Sequence, residues 1–187
     1  MDSPGFAQFA TPIGTCALAW GAGGIIGVAL PGVNPTSAMA RLHRCFPDGA
    51  PAPPPAAIAA AIARIAAVLA GGRDDFADLP LDLGRASVFE GEVYRETRAI
   101  PAGETASYGV IAARLGDSGL ARAVGQALGR NPWPIVIPCH RVTGADGRMG
   151  GFSAPGGRAT KLRLLEIEGA LAPESLPLFG GAPPRGA

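Results

Sequence analysis

The sequence is short of lysine and of cysteine, and each shortage narrows the class of protein. Fifteen of its 16 basic residues are arginine, and charged residues make up only 17% of the 187 residues. The three cysteines, Cys16, Cys45 and Cys139, are odd in number and form no CxxC pair, which argues against a disulfide framework and a zinc knuckle. His43 and Cys45 have no further ligands near them in sequence. We therefore expect no metal site and a reducing, cytoplasmic setting.

The chain also lacks the patterns of secretion and membrane insertion. No basic segment precedes an apolar run at the N-terminus, and the uncharged segment 11–33 is interrupted by glycine and proline. This composition is typical of strands and turns and not of a membrane-spanning helix. Hydrophobic residues make up 48% of the chain, which is enough for a folded core. We expect a globular protein with no signal peptide and no membrane contact.

Basic residues are concentrated in one part of the chain. The window 107–163 contains eight basic and two acidic residues, a net charge of +6, whereas the whole chain carries +1. The remainder therefore carries −5, an asymmetry typical of a protein with one polyanion-binding face. Charge alone leaves two interpretations open: a nucleic-acid-binding surface, or an accidental cluster of solvated side chains.

Residues 1–83 are expected to form a first unit of mixed α/β structure. Apolar stretches around a glycine-rich turn indicate a hairpin, and alanines with isoleucines at helical spacing indicate a helix. The patterns predict a hairpin at 9–30 and then a short helix capped by Ser37. A proline-rich loop without regular structure follows at 47–55, a long helix at 56–70 and a last strand at 81–83.

Residues 84–170 are expected to form a second, mainly helical unit. One helix is predicted over 88–100, followed by two short helices over 107–115 and 120–128 that are joined by a tight turn. Two short helices in this arrangement are a helix-turn-helix candidate, although any corner between two helices has the same pattern. The tail 171–187, rich in proline and glycine, is expected to be loosely ordered.

Most side chains on the exposed face of the second short helix are unusually small. Ala121, Ala123 and Gly125 lie there beside Arg122 and Gln126. Small residues let a helix approach a DNA backbone closely but offer few donors to base edges, so the face is suited to shape-tolerant binding. Arg122 has two interpretations: it fills the gap left by an extruded base, or it makes an ordinary phosphate contact.

The segment 131–142 joins a cysteine directly to a histidine. Its apolar, β-branched residues predict a buried strand that breaks at Pro138 and presents Cys139 and His140 at its exposed end. A nucleophilic thiol needs a base, and the imidazole needs a carboxylate, for which Glu168 is the best-placed candidate. Since successive strand side chains point to opposite faces, a water or a turn must connect thiol and imidazole. From these residues alone, a nucleophile and a buried structural cysteine are equally supported.

Four motif blocks resemble the O6-alkylguanine-DNA alkyltransferases, also called methylated-DNA–protein-cysteine methyltransferases. They read Ile-Pro-Ala-Gly-Glu-Thr-Ala-Ser-Tyr-Gly at 100–109, Ala-Arg-Ala-Val-Gly at 121–125, Asn-Pro-Trp-Pro and Pro-Cys-His-Arg-Val within 131–142, and Leu-Leu-Glu-Ile-Glu-Gly at 164–169. The resemblance covers 89–169 in the family's order. It implies an α/β (α+β) protein with a small ribonuclease-H-like N-terminal domain at 1–83. A winged-helix-like domain with a helix-turn-helix would follow at 84–170.

The resemblance also implies a reaction and its catalytic residues. Cys139 would take an alkyl group directly from O6 of guanine in one displacement and would not be regenerated, so no cofactor is needed. His140 and Glu168 would activate the thiol through a water. Tyr108 would donate a proton toward the base so that guanine leaves as a neutral species, and Asn131 would hold the turn before the active-site segment.

The implied partner is double-stranded DNA containing O6-alkylguanine, with O4-alkylthymine as a further substrate, bound by a monomer. The lesion would be flipped out of the duplex, because a stacked base cannot present its alkyl carbon to a thiolate. Arg122 would occupy the vacated space, and the backbone around Cys139, Val142 and Ser153 would read the base with Tyr108. The expected DNA contacts are Arg122, Ala121, Ala123, Gly125, Arg130 and Arg141.

Two alternatives remain beside the repair alkyltransferase. A non-catalytic lesion-binding protein is one; the sister group of that kind has tryptophan at the cysteine position, so Cys139 favours repair. A Cys-His-Glu hydrolase unrelated to DNA is the other, and it leaves the basic window unexplained. The loop 150–157 carries an added Ala-Pro relative to the family's shorter form, a change expected to affect the size of alkyl group that the pocket accepts.

Overall fold

A computed structural model describes residues 3–145 and 149–171 as a mixed α/β fold. These residues contain six α-helices, a four-stranded sheet and a two-stranded sheet. Arg148, which contributes to the basic window, and the tail from 172 onward lie outside the described residues. In the described part of the chain, no helix is both long and apolar enough to cross a membrane.

The N-terminal sheet is built on the predicted hairpin. The strands β1 (Gly5–Thr11), β2 (Gly14–Gly21) and β3 (Gly24–Ala29) pair antiparallel in sequence order, so the hairpin prediction over 9–30 is confirmed and is extended by β1. Gly24 has a φ of +117°, and an added Cβ would lie 2.4 Å from the Pro80 carbonyl oxygen, so the turn requires glycine here.

Two helices flank this sheet, and three predictions in this unit need correction. The helices α1 (Ser37–Cys45) and α2 (Ala56–Leu69) lie where they were expected. Ser37, however, does not cap α1: it is the first helical residue, and the N-cap position is Thr36, which makes no side-chain cap hydrogen bond. The proline-rich loop, however, contains the two-residue strand β4 (Ala50–Pro51), which pairs parallel to β1. The strand predicted at 81–83 is wrong: Leu81 makes only an isolated bridge to Ile25, and a 3-10 turn, Leu83–Arg85, follows.

The second unit is helical as predicted, and local caps explain where its helices begin. A capping box between Ser87 and Glu90 starts α3 (Val88–Arg98), and Ser107 accepts the Val110 N–H at the start of α4. The remaining elements are α4 (Tyr108–Arg114), a 3-10 turn (Ser118–Leu120), α5 (Ala121–Gly129) and α6 (Arg158–Ile167). The expected pair of short helices is therefore present as α4 and α5.

The segment before the cysteine is a turn, and the predicted strand is wrong. Pro134 and Ile137 form an isolated bridge, Ile135 has a φ of +77°, and a 3-10 helix, Cys139–Arg141, follows. The physical reason lies in the prolines: they have no N–H to donate to a sheet ladder, so the β-branched residues between them cannot form a regular central strand. The prediction that this segment is buried is correct, but Cys139 and His140, which were expected at its exposed end, are buried as well.

Short strands and one tryptophan tie this turn to the rest of the fold. The strands β5 (Ala106–Ser107) and β6 (Val142–Thr143) pair parallel and fix the start of α4 next to the residues that follow Cys139. Trp133 is buried and donates its indole N–H to the Ile25 carbonyl of β3, at 2.8 Å. The two units thus share one continuous hydrophobic core.

Candidate active site

The Cys139 thiol lies where two cavities meet. The side chain is on the first turn of the 3-10 helix and is 7% exposed. On one side a groove of about 610 Å³ is lined by residues of α4, α5 and the loop 150–153. On the other side a cavity of about 170 Å³ lies between α1, β3 and the loop 152–155. Cys139 lines both, so the thiol is buried yet reachable.

Asn131 holds the thiol in place. Its side-chain amide donates to Cys139 Sγ at 3.2 Å and to the Ile137 carbonyl at 2.9 Å, while its Oδ1 accepts the Trp133 N–H at 2.9 Å. Burial raises the pKa of the Cys139 thiol, and the hydrogen bond from Asn131 and the charge of Lys161 oppose that rise. The thiol is therefore protonated at rest at neutral pH and needs a base to become a nucleophile.

The two residues that follow Cys139 belong to a buried cluster around a carboxylate. The Glu168 carboxylate, 9% exposed, accepts from His140 Nε2 at 3.0 Å and from two nitrogens of the Arg141 guanidinium at 2.7 and 2.8 Å. Burial alone raises the pKa of Glu168, but the hydrogen bonds from His140 and Arg141 outweigh it and hold that pKa at about 2. Glu168 is therefore an anion at neutral pH.

This cluster sets the protonation state of His140. Burial lowers the pKa of the imidazole, and the Glu168 carboxylate only partly offsets that effect, so the ring is neutral at neutral pH. Since an ionised carboxylate only accepts, Nε2 carries the proton, and Nδ1 keeps a free lone pair. Within the described residues Nδ1 is buried without a hydrogen-bond partner. The neutral His140 ring, with its free lone pair on Nδ1, can therefore accept a proton from a neighbouring group.

The groove on the other side of the thiol is lined by Tyr108 and Arg122. Tyr108 begins α4 and packs against Gly125 of α5, whereas Arg122 is exposed on α5. A Cβ on Gly150 would lie 2.6 Å from the Tyr108 hydroxyl, so the loop approaches the phenol closely only because it has glycine there. Burial raises the pKa of Tyr108, so its hydroxyl stays a proton donor at neutral pH.

Two residues expected on the basic surface are buried, which corrects the sequence analysis. Arg141, predicted to contact DNA, is 3% exposed and is engaged by Glu168 and by the Ile100 carbonyl at 2.5 Å. Lys161 is 0% exposed and donates to the Val142 carbonyl at 2.5 Å. Neither can reach a phosphate, so the exposed basic face is smaller than the +6 window indicated.

The other predicted residues are arranged as follows. Ala121, Ala123 and Gly125 are half-buried on α5. Arg130 is exposed and pairs with Glu90 at 2.8 Å. Ser153 is exposed and lines both cavities, whereas Val142 is fully buried in β6 and lines neither. In the described part of the chain no group of three or more metal-binding side chains comes together.

Sequence reasoning missed several residues of the site. Lys161, which was expected on the basic surface, lies on one face of α6 with Leu164 and Leu165, in line with the predicted Glu168 just beyond the helix. The spacing of 3, 4 and 7 residues was a usable signal for the burial of Lys161. Phe152, which lines both cavities, had no comparable signal, because a loop residue has no periodicity. The link from Trp133 to Ile25 spans 108 residues and was equally invisible.

The arrangement of the thiol, the histidine and the groove defines a class of protein. The cysteine is followed in sequence by the histidine of a histidine–carboxylate pair. Its thiol lines a groove beside two short helices, one of which carries an exposed arginine. Such a site is suited to cysteine chemistry on a group presented from nucleic acid.

Similarity to known proteins identifies the family within this class. The family model of the 6-O-methylguanine DNA methyltransferase DNA-binding domain matches residues 88–170. A methylated-DNA–protein-cysteine methyltransferase of Mycolicibacterium paratuberculosis is 48% identical over 125 residues, which are 67% of this chain and 73% of the relative. A DNA base-flipping protein of Thermus thermophilus is 47% identical over 107 residues, 57% of this chain and 70% of that protein.

A solved structure agrees over most of the chain. The Mycobacterium tuberculosis OGT in complex with DNA superposes with a TM-score of 0.69 at 36% identity, covering 89% of this chain and 93% of the other. The chain therefore belongs to the methylated-DNA–protein-cysteine methyltransferase family. Its function is the repair of alkylated DNA by transfer of the alkyl group to a cysteine of the protein.

Proposed function

We propose that Cys139 is the acceptor of this transfer and that the substrate is O6-alkylguanine flipped out of double-stranded DNA. One observation carries the proposal: Cys139 lines the groove of Tyr108 and Arg122 and directly precedes His140, which is paired with Glu168, in the same 3-10 turn. The other two cysteines have no such setting, because Cys16 is buried on β2 with a thiol pKa raised by burial to about 11, and Cys45 is exposed on α1.

The reaction is a single displacement. A water between His140 Nδ1 and Cys139 Sγ passes the thiol proton to the imidazole, and Glu168 stabilises the imidazolium that forms. The thiolate attacks the alkyl carbon, the S–C bond forms as the C–O6 bond breaks, and the electron pair goes to the base. Tyr108 donates a proton toward the ring nitrogen so that guanine leaves neutral. The thioether has no leaving group under these conditions, so each molecule acts once.

The groove supplies the DNA contacts. Arg122 fills the space of the flipped nucleotide, and Ala121, Ala123 and Gly125 allow α5 to approach the backbone. Arg130 contacts phosphate, and the backbone around Cys139 and Ser153, which line the groove, reads the flipped base, of guanine or of O4-alkylthymine.

The proposal also covers the fold type of each domain, the oligomeric state and the cellular location of the protein. The sheet order β3-β2-β1-β4 supports a ribonuclease-H-like N-terminal domain, and the small β5–β6 sheet beside α4 and α5 supports a winged-helix-like C-terminal domain with a helix-turn-helix. Domain limits at 1–83 and 84–170, action as a monomer and a cytoplasmic location belong to the same proposal.

The test is single-turnover methyl transfer from a duplex that contains one O6-methylguanine. Cys139→Ser should abolish transfer and retain binding to the lesion duplex, and Tyr108→Phe should slow transfer by about 10²–10⁴-fold, the usual contribution of one proton donor. Cys45→Ser is the matched control and should transfer at the wild-type rate. Transfer by Cys139→Ser would overturn the proposal, and lesion binding without transfer by the wild type would favour a non-catalytic sensor.

A further inference from the structure

The smaller cavity beside Cys139 has a cationic wall. Among the described residues, its lining includes two arginines, Arg41 and Arg130, and no carboxylate. Leu42 and Phe46 are among its apolar residues. Arg130 already pairs with Glu90. Arg41, half-buried on α1, makes no ion pair in the described part of the chain. The Cys139 thiol thus borders a small pocket that contains Arg41, a cation with no counter-ion among the described residues.

Arg41 belongs to the N-terminal unit but reaches the loop that borders the base groove. Its guanidinium donates to the Ser153 carbonyl at 3.5 Å, across 112 residues of sequence. Ser153 and Cys139 line both the groove and the cavity. A base held in the groove with its alkyl carbon at Sγ therefore has beside that carbon a cavity whose lining includes Arg41.

We propose that this cavity receives the substituent of the transferred alkyl group and that Arg41 makes it selective for substituents ending in a carboxylate. The substrate class is O6-carboxymethylguanine and related anionic adducts, and the inference rests on the function proposed above. An arginine–carboxylate contact is charge-assisted and gains strength in a partly buried, apolar pocket, whereas a neutral substituent of equal size gains only packing.

The chemical step is the same as for methyl. Cys139 Sγ attacks the methylene carbon, the S–CH₂ bond forms, the CH₂–O6 bond breaks, and the electron pair and a proton go to the guanine. The carboxylate is neither protonated nor consumed, so no additional reactant is required. The apolar lining accommodates the methylene while the carboxylate faces Arg41.

The experiment compares three lesions in one duplex sequence: O6-methyl-, O6-carboxymethyl- and O6-carbamoylmethylguanine. The carbamoylmethyl group has the same size as carboxymethyl but no charge. Single-turnover rates with excess protein are divided by each variant's own methyl-transfer rate. Wild type should transfer carboxymethyl about tenfold faster than carbamoylmethyl, the effect of one hydrogen bond to a charged group. Arg41→Gln should reduce this ratio to about one, and Arg41→Lys should restore part of it.

Arg44→Gln is the matched control, because Arg44 is exposed on the same helix and does not line the cavity. It should keep the wild-type ratio. A wild-type ratio of one, or an unchanged ratio in Arg41→Gln, would overturn the inference. An equal slowing of all three lesions in Arg41→Gln would also overturn it, since that result identifies a general DNA contact. Failure of wild type to transfer methyl would instead refute the proposed function.

Discussion

Replacing Glu168 by glutamine keeps the shape of the side chain and removes the central charge of the buried cluster. Arg141 would remain a buried cation with only the Ile100 carbonyl as a strong partner. Removing one partner of a buried pair costs about 3–5 kcal/mol, which for a chain of this size corresponds to a fall in Tm of about 6–20 °C. The matched control is Glu166→Gln on the same helix. Glu166 pairs with an exposed Arg163 at 2.7 Å and should contribute less than about 1 kcal/mol.

The Glu168→Gln variant also tests how the stability of the fold depends on pH. The hydrogen bonds from His140 and Arg141, acting against burial, lower the pKa of Glu168 from its ordinary 4.5 to about 2. A group with a lowered folded-state pKa stabilises the fold above its unfolded pKa and loses that contribution as the pH falls, here between 4.5 and 2. The difference corresponds to about 3 kcal/mol at neutral pH.

Urea unfolding of wild type and both variants at pH 7, 5 and 3 measures both effects. The stability gap between wild type and Glu168→Gln should be full at pH 7 and should narrow toward pH 3. The reasoning is refuted if Glu168→Gln is no less stable than Glu166→Gln at pH 7. A gap that stays constant down to pH 3 would refute the proposed charge state of Glu168.

Four further predictions concern the thiol, the joint between the units and DNA binding. Asn131→Ala removes a hydrogen bond that lowers the pKa of Cys139, so the pH profile of its alkylation by iodoacetamide should move to higher pH; an unmoved profile would contradict the role of Asn131. Trp133→Phe retains most of the buried ring but removes the donor to the Ile25 carbonyl, and it should cost about 1 kcal/mol or more of unfolding free energy in urea. Arg122→Ala should slow transfer from duplex DNA and leave iodoacetamide alkylation unchanged, because Arg122 acts on DNA and not on the thiol. Wild-type affinity for DNA should fall with salt at a log–log slope of about −0.9 for each phosphate contact, and a flat response would argue against a basic face.

Local signals explain which elements the sequence predicts. The start of α3 depends on Ser87 and Glu90, and that of α4 on Ser107, all of which are read within one turn of helix. β4 depends on pairing with β1 some 45 residues away in sequence, and no local pattern reveals it. The error before Cys139 arose because β-branched composition was given more weight than the prolines, although a proline without an N–H limits a strand more strongly.

The site was predictable in part for the same reason. The pairing of His140 with Glu168 was expected from their residue types, and the structure brings them to 3.0 Å. The burial of Arg141 was missed because arginine is ordinarily a surface residue. Its burial depends on the Glu168 carboxylate, which is buried beside it and also accepts from the neutral His140. Sequence identifies the reactive groups more readily than the charges that support them.

The most direct test of the central claim is mass spectrometry of the intact protein and its peptides after reaction with a duplex containing one O6-methylguanine. The account predicts one methyl group per protein molecule, located on the peptide that contains Cys139, and no further turnover when fresh lesion duplex is added. A methyl group on Cys45, or repeated turnover by an unmodified protein, would contradict it.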